Sequence, residues 1–219
     1  MNKIDPVEDL AEIRKMMEGS SKFISLSGLS GVFAGLIALV GAGAAWMVIQ
    51  DFNKRFLHYT FSNSLKEEYQ TLNNTLFAIA IGILVGALSF GLLFTYLKAR
   101  RNNQKLITPV AFRLVRSLMT PLGFGGLFVI GLYYVGAYDL IAPATLIFYG
   151  MSLMNASKYV QVELKYLALC EMALGVISVF ALSVDLEMRS HIQIALWATG
   201  FGVIHIIYGL IMWNKYDRK

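Results

Sequence analysis

Long runs without charged residues are the sequence feature that most restricts how this chain can fold. Five such runs contain no Asp, Glu, Lys or Arg, and they cover residues 23–50, 71–97, 117–138, 140–157 and 192–214. A sixth run, residues 166–184, has Glu171 as its one charged residue. A helix needs about 20 mostly apolar residues to cross a hydrocarbon core about 30 Å thick. The sequence therefore predicts an all-α membrane protein with six transmembrane helices.

The fourth run is the shortest and is separated from the third by Asp139 alone. Two arrangements fit this spacing. Runs three and four could form a tight hairpin of two crossing helices, or a re-entrant pair that enters and leaves on one side. Two uncharged runs joined by one carboxylate favour the hairpin.

The positive charges predict the orientation. Placing the N-terminus in the cytoplasm puts all but four of the 19 Lys and Arg residues on that side. The four that remain outside are Lys54, Arg55, Lys66 and Arg189. Cytoplasmic loops of membrane proteins carry this excess of Lys and Arg, so both termini are expected to be cytoplasmic. The net charge of +5 is thereby explained by topology, and we expect no nucleic-acid partner.

Three regions follow from this topology. Residues 1–22 predict a cytoplasmic amphipathic helix that starts at Asp5 and Pro6, a capping residue followed by proline at the first helical position. Residues 23–214 form one six-helix bundle, whose first apolar run is too long for a cleavable signal peptide. Residues 215–219 are predicted to be a basic cytoplasmic tail.

Glu171 needs a physical explanation because an ionisable group at bilayer depth costs at least about 2.5 kcal/mol. It lies about 16 Å along its span from the cytoplasmic surface, and His205 lies about 12 Å along the next span from the same surface. Because both residues share helix faces with small residues, we expect Glu171 to form a hydrogen bond with His205 or Tyr208. Arg116, near the start of span three, is a further candidate ion partner.

This polar group has three interpretations. It is a structural clamp that holds helices in register, a site that handles protons or ions, or a contact for a ligand. Tyr149 and Asn155 place polar groups in the inner half of span four, where they could line a cavity with Glu171. The scarcity of other polar residues at this depth favours the clamp.

Glycine pairs predict where helices approach each other. Gly31 and Gly35 in span one, and Gly82 and Gly86 in span two, have the Gly-xxx-Gly spacing that puts both glycines on one helix face. In lipid, such faces allow close backbone contact. They serve either packing within the chain or contact with a second copy.

Basic residues at the cytoplasmic ends of spans two and three predict contact with lipid headgroups. Arg100, Arg101 and Arg113 are the candidates, because anionic headgroups bind clusters of this kind. The predicted partners are membrane lipids, together with a second copy or another membrane protein.

The residues that usually carry catalysis do not form a recognisable set. His58, His191 and His205 are too far apart in the predicted topology to share a metal ion, and Cys170 is the one cysteine. No nucleotide-binding loop or nucleophile elbow occurs. The chain is therefore expected not to be an enzyme and to use no cofactor or metal.

Two segments carry a family resemblance. DLAEIRKMMEGSSKFISLSGLSGVFAG near the start and LMNASKYVQVELKYLALCEMALG near residue 165 resemble a group of uncharacterised bacterial six-span inner-membrane proteins. The resemblance covers nearly the whole chain and implies a bacterial inner-membrane location without an activity. The function expected is that of a non-enzymatic membrane module: a sensor, an accessory subunit or an oligomeric scaffold. The alternative is a small ion- or proton-coupled transporter or channel that uses Glu171 and His205.

Overall fold

The computed structural model describes residues 27–56, 65–103, 106–183 and 186–218, and these are all-helical. The amphipathic helix predicted for residues 1–22 lies outside the described residues. Within them, α1 covers Gly28–Phe56, α2 Leu65–Arg101, α3 Pro109–Val135, α4 Ile141–Ala156 and α5 Glu163–Phe180.

The last helical segment, residues 186–217, is continuous but changes its winding. It begins as α6, Leu186–Trp197, and widens into a π-helical stretch, Ala198–Ile204. It returns to an α-helix in α7, His205–Met212, and ends in a second π-helical turn, Trp213–Asp217. We refer to Ala198–Ile204 as the π segment. Single-turn 3₁₀ helices at Tyr138–Leu140 and Ala181–Ser183 precede α4 and follow α5.

Five helices of the described residues are long and apolar enough to cross a membrane. They occupy Gly28–Arg55, Glu67–Arg101, Pro109–Val135, Glu163–Ser183 and Met188–Asp217. This confirms the coarse prediction of a helical, multi-pass membrane protein. With 16 residues, α4 is shorter than these five helices.

Sequence neighbours pack antiparallel, which gives the bundle two distinct ends. The start of α5 meets the end of the last helix, where Lys215 Nζ lies 2.5 Å from Glu163 Oε1. At the opposite end, Arg189 lies 3.1 Å from Asp139. We call these the C-terminal end and the far end. The last helix contacts α1, α4 and α5, while α2 packs mainly on α1 and α3 mainly on α4.

The glycines of span one pack against the last helix of the same chain. A Cβ atom on Gly35 would lie 2.6 Å from the Gly202 carbonyl oxygen, and one on Gly31 would lie 3.2 Å from Gly209 Cα. Backbones approach this closely only where side chains are absent. The span-two pair behaves differently. Gly86 makes an ordinary contact with Ile37, and Gly82 has no neighbour within 4 Å.

Residues 215–217 of the predicted basic tail continue the last helix and are docked on the bundle. Asp217 lies nearly buried, with its Oδ1 2.6 Å from Lys98 Nζ, off the direction of a hydrogen bond. Its Oδ2 accepts hydrogen bonds from the Gly28 backbone N–H and the Ser27 hydroxyl. Asp217 therefore caps the start of α1, where backbone N–H groups lack partners within the helix. This one carboxylate therefore joins α1, α2 and the last helix.

Candidate functional site: a buried carboxylate–imidazole–phenol chain

Glu171 lies in the third turn of α5, on the face that packs against α4 and the π segment. Its side chain has 0% exposure. Gly200 is in close contact with its Oε2, because a Cβ atom on that glycine would lie 2.6 Å away. The same added atom would lie 2.7 Å from Leu146 Cδ2, and Leu146 is itself fully buried. The carboxylate is therefore surrounded by packed protein atoms.

His205 is the residue that faces Glu171 from the last helix. Its Nδ1 lies 3.1 Å from Glu171 Oε1 and 3.0 Å from the Gly200 carbonyl oxygen. The Gly200 carbonyl is the better-aligned acceptor, and neither carboxylate oxygen has an aligned hydrogen-bond donor among the described residues. The contact between Glu171 and His205 is thus a short electrostatic one that lacks good hydrogen-bond geometry.

The π segment creates this arrangement. A π-helical winding adds a residue to the turn, so the Gly200 carbonyl is free to face the His205 ring five residues later. Gly200 and Gly202 are both buried, and they let α5 and α1 approach the segment from different sides. Insertions of this kind into helices are frequent at functional sites. The two glycines and the changed winding place His205 against the carboxylate.

Tyr149 extends the chain of polar groups from α4. Its hydroxyl oxygen lies 3.0 Å from His205 Nε2, at the other side of the imidazole. Phe201 packs beside both rings, with centroids 4.9 Å from Tyr149 and 5.9 Å from His205. The result is a line of three polar side chains, Glu171, His205 and Tyr149, on three different helical segments. Apolar and aromatic groups shield this line, which strengthens each electrostatic contact in it.

The tautomer of His205 follows from these partners. Nδ1 faces two acceptors, the Gly200 carbonyl and the Glu171 carboxylate, so it carries the proton. In the neutral ring Nε2 is then an acceptor, and the Tyr149 hydroxyl donates to it. The hydrogen bonds therefore run in one direction, from Tyr149 through His205 toward Glu171.

Three other residues predicted for this site are placed differently. The Tyr208 hydroxyl is buried but makes no hydrogen bond to Glu171, and its ring packs against the apolar cluster around Leu167. Arg116 is exposed on α3 and forms no ion pair with Glu171. Asn155 is bound to α3, where its Nδ2 donates to the Ser117 carbonyl oxygen at 2.8 Å. Their levels along the helices follow from counting residues, whereas the face of the helix on which each lies does not.

Two further polar contacts lie between the site and the far end of the bundle, and the sequence reasoning missed both. The Ser178 hydroxyl donates to Gln193 Oε1, and Gln193 Nε2 donates to the Ser178 carbonyl oxygen. Trp197 Nε1 donates to Thr145 Oγ1 at 3.2 Å. Gly200 was also missed. The sequence signal that could have identified it is a glycine five residues before His205, in a helix expected to pack against the helix of Glu171.

The predicted lipid-contacting residues are exposed where they were expected. Arg100 and Arg101 lie in the last turn of α2, and Arg113 lies in the second turn of α3. All three are at the C-terminal end of the bundle. Their contact with headgroups stays a prediction.

Comparisons with protein-family models, with curated proteins and with solved structures found no match to this chain. The resemblance to bacterial six-span proteins therefore stays a prediction. Within the part of the chain that the structure describes, no group of three or more His, Cys, Asp and Glu side chains could hold a metal ion.

Proposed function

We propose that this chain is a six-span protein of a bacterial inner membrane, with both termini cytoplasmic, that works as a non-enzymatic membrane module. The length of α4 is compatible with the sixth crossing. At 1.5 Å per residue its 16 residues extend about 24 Å. The 3₁₀ turn Tyr138–Leu140 adds about 6 Å, so the two together match a hydrocarbon core about 30 Å thick.

The complete burial of Glu171 is the observation that favours a module over a transporter. A carboxylate that carries an ion across the membrane must be reached by the ion from both sides, and this side chain, with 0% exposure, has no direct contact with water on either. Its contacts with His205 and, through that ring, with Tyr149 join α5, the last helix and α4. A buried polar clamp of this kind fixes how helices pack, so that the bundle presents a defined surface to partners.

The outer surfaces of α2 and α3 are where such partners would bind. A Cβ atom added to Gly82 on α2, or to Gly123 or Gly126 on α3, would have no atom of another described segment within 4 Å. Large apolar side chains around them are also exposed, including Leu92 and Phe124. In a membrane, glycines on an outward face allow a second helix to approach closely. The partner would be a second copy of this chain or another membrane protein.

A small ion- or proton-coupled transporter is the second candidate, and one observation favours it. Neither oxygen of Glu171 has an aligned hydrogen-bond donor among the described residues, although His205 and Tyr149 line up beside it. Intramembrane Glu and His residues are common in proton relays. This arrangement would suit a carboxylate that gains and loses a cation during a cycle.

A flux assay distinguishes the two candidates. The purified protein is reconstituted in vesicles that contain a pH-sensitive dye, and proton and alkali-cation fluxes are measured under an imposed gradient. The module predicts the same flux for the wild type, for Glu171→Gln and for protein-free vesicles. Flux that depends on Glu171 would overturn the module and support the transporter. Thermal unfolding of the same samples shows whether the variant is folded, and Asn155→Leu, a polar residue away from the site, is the matched control.

A further inference from the structure

Glu171 lies at the end of a line of polar side chains, beyond the Tyr149–His205 hydrogen bond and in electrostatic contact with the His205 ring. Tyr149 donates to His205 Nε2, and His205 Nδ1 carries a proton 3.1 Å from Glu171 Oε1. The carboxylate has no aligned donor of its own within the described ranges. An ionised carboxylate buried in this way costs several kcal/mol unless a positive charge or a bound proton compensates it. The site therefore has the chemistry to bind one proton.

We propose that Glu171 is an exchangeable proton-binding site, reached through Tyr149 and His205 from the C-terminal end of the bundle. This end is cytoplasmic in the orientation proposed above, and only that part of the inference rests on the proposed function. Proton binding at equilibrium does not require transport. A module with this site would respond to cytoplasmic pH.

The route from the surface consists of polar groups on one face of the last helix. Tyr208 is three residues after His205, and its buried hydroxyl has no hydrogen-bond partner among the described residues. Tyr216 lies two turns further along the same face, and its hydroxyl donates to Glu163 at the surface. Lys215, which is mostly exposed, binds the same carboxylate. Tyr208 is close enough to Tyr149 on one side, and to Glu163 and Tyr216 on the other, to interact electrostatically with all three.

Toward the far end the route is closed. Leu146 is fully buried beside Gly200, so an apolar side chain lies close to the carboxylate on that side. Further along, Ser178 and Gln193 hydrogen-bond each other in both directions. The Ser178 hydroxyl proton and one N–H of Gln193 are therefore already used within this pair. The access is thus one-sided, which suits a sensor better than a conductor.

The proton transfer balances without any other reactant. A proton that arrives at Tyr149 binds its oxygen while the original hydroxyl proton moves to His205 Nε2. The Nδ1 proton of His205 then moves to Glu171 Oε1. At the end Tyr149 is again a phenol, His205 is neutral with its proton on Nε2, and Glu171 is a carboxylic acid. One proton has been taken up and one negative charge removed.

Few titratable side chains face Glu171 from the helices that pack against it. His205 and Tyr208 face it or lie one turn away on the last helix, and Tyr149 is the titratable side chain that α4 contributes. The titratable side chains of α1 in the described residues lie near its end, from Asp51 to Arg55, at the far end of the bundle. Arg189 and His191 of α6 are at that end too. The groups at this depth that can hold or pass the proposed proton are therefore Glu171, His205 and Tyr149.

Infrared difference spectroscopy tests the proposal directly. The protein is held in lipid nanodiscs, and spectra are recorded as the pH is stepped from acid to alkaline. We expect a carbonyl band of a protonated carboxylic acid that titrates with pH, shifts in D₂O and is lost in Glu171→Gln. Glu163→Gln should keep the band. A band that persists in Glu171→Gln, or the absence of a titrating band in the wild type, would overturn the inference.

A second variant keeps the test informative if Glu171→Gln does not fold. Tyr149→Phe removes the donor but leaves the carboxylate and the imidazole in place, so the band should remain at equilibrium. Proton uptake after a pH jump should be slower by about tenfold or more, as expected when a relay group is removed. An unchanged rate would contradict the route through Tyr149. A titrating carboxylic acid band without Glu171-dependent flux supports both the proton-binding site and the non-enzymatic module. Flux that depends on Glu171 together with a titrating band overturns the module but not the proton-binding site.

Discussion

Gly200 and Glu171 are in such close contact that a single methyl group between them has no room. A Cβ atom on Gly200 would lie 2.6 Å from Glu171 Oε2, well inside the contact distance of a carbon and an oxygen. The two residues are on different helices, the π segment and α5. Glycine at this position is therefore a steric requirement for the carboxylate to lie beside His205.

Gly200→Ala is expected to displace the carboxylate and to lower the free energy of unfolding by about 2 kcal/mol, the usual cost of overpacking a tight interior. The measurement is thermal or denaturant unfolding in detergent, followed by tryptophan fluorescence. Gly123→Ala is the matched control, because a Cβ atom there has no neighbour within 4 Å. Equal stability of Gly200→Ala and the wild type would show that Glu171 is not held where the structure places it.

Two ion pairs at the C-terminal end should respond very differently to substitution. Asp217→Asn removes the carboxylate charge that lies 2.6 Å from the nearly buried Lys98 and weakens the cap of α1, so we expect a loss of about 3 kcal/mol in unfolding free energy. Lys215→Met removes a pair whose lysine is mostly exposed, and we expect no measurable change. Unfolding curves of both variants under the same conditions compare the two. A larger effect of Lys215→Met would contradict the assignment of Asp217 as the main anchor.

Close packing of α1 on α7 makes Gly209 intolerant of a larger residue. An added Cβ atom would lie 2.5 Å from the Val32 backbone nitrogen and 2.7 Å from the Gly28 carbonyl oxygen. These are backbone atoms that cannot rotate away, so Gly209→Ala should destabilise the bundle by about 2 kcal/mol or more. Gly82→Ala, on the open face of α2, should have no such cost. Trypsin sensitivity in native membranes gives a second readout, and equal sensitivity of the two variants would argue against this contact.

Labelling of single cysteines tests the six-span topology. In a Cys170→Ser background, cysteines are placed one at a time at Lys54, Arg101 and Lys158, and a membrane-impermeant maleimide is added to intact cells. Six crossings predict labelling at position 54 only, and labelling at 101 and 158 after the membrane is opened. If α4 does not cross the membrane, position 158 should be labelled together with position 54. Cys170 must be replaced first because it is exposed on the surface of α5.

The hydropathy of the chain predicted its class because crossing a bilayer depends on length and polarity alone. Five of the six predicted runs became helices that meet both conditions, and each helix extends beyond its uncharged run at one end at least. α1 continues to Phe56 and α2 begins at Leu65, since charged residues at helix ends can lie in the headgroup region. The sixth run forms a helix too, although α4 alone has 16 residues.

The depth of the polar residues was also accessible from the sequence, but their partners were not. Counting residues from the ends of the spans placed Glu171 and His205 at similar levels, and the structure has them 3.1 Å apart. The same count put Arg116 and Tyr208 within reach of Glu171, and neither bonds to it. Depth depends only on helical rise, whereas contact depends also on how each helix is rotated about its axis.

The sequence by itself determined that this protein is built from apolar helices, and that a carboxylate lies among them. Only the tertiary structure decided what surrounds that carboxylate. The change of winding at Ala198–Ile204 turns the Gly200 carbonyl and the His205 ring toward Glu171, and no hydropathy pattern encodes it. The same holds for Asp217. In the sequence it belongs to a short basic tail, whereas in the structure it contacts both α1 and α2 from the last helix. Both contacts join residues that are far apart in the chain, so packing alone creates them.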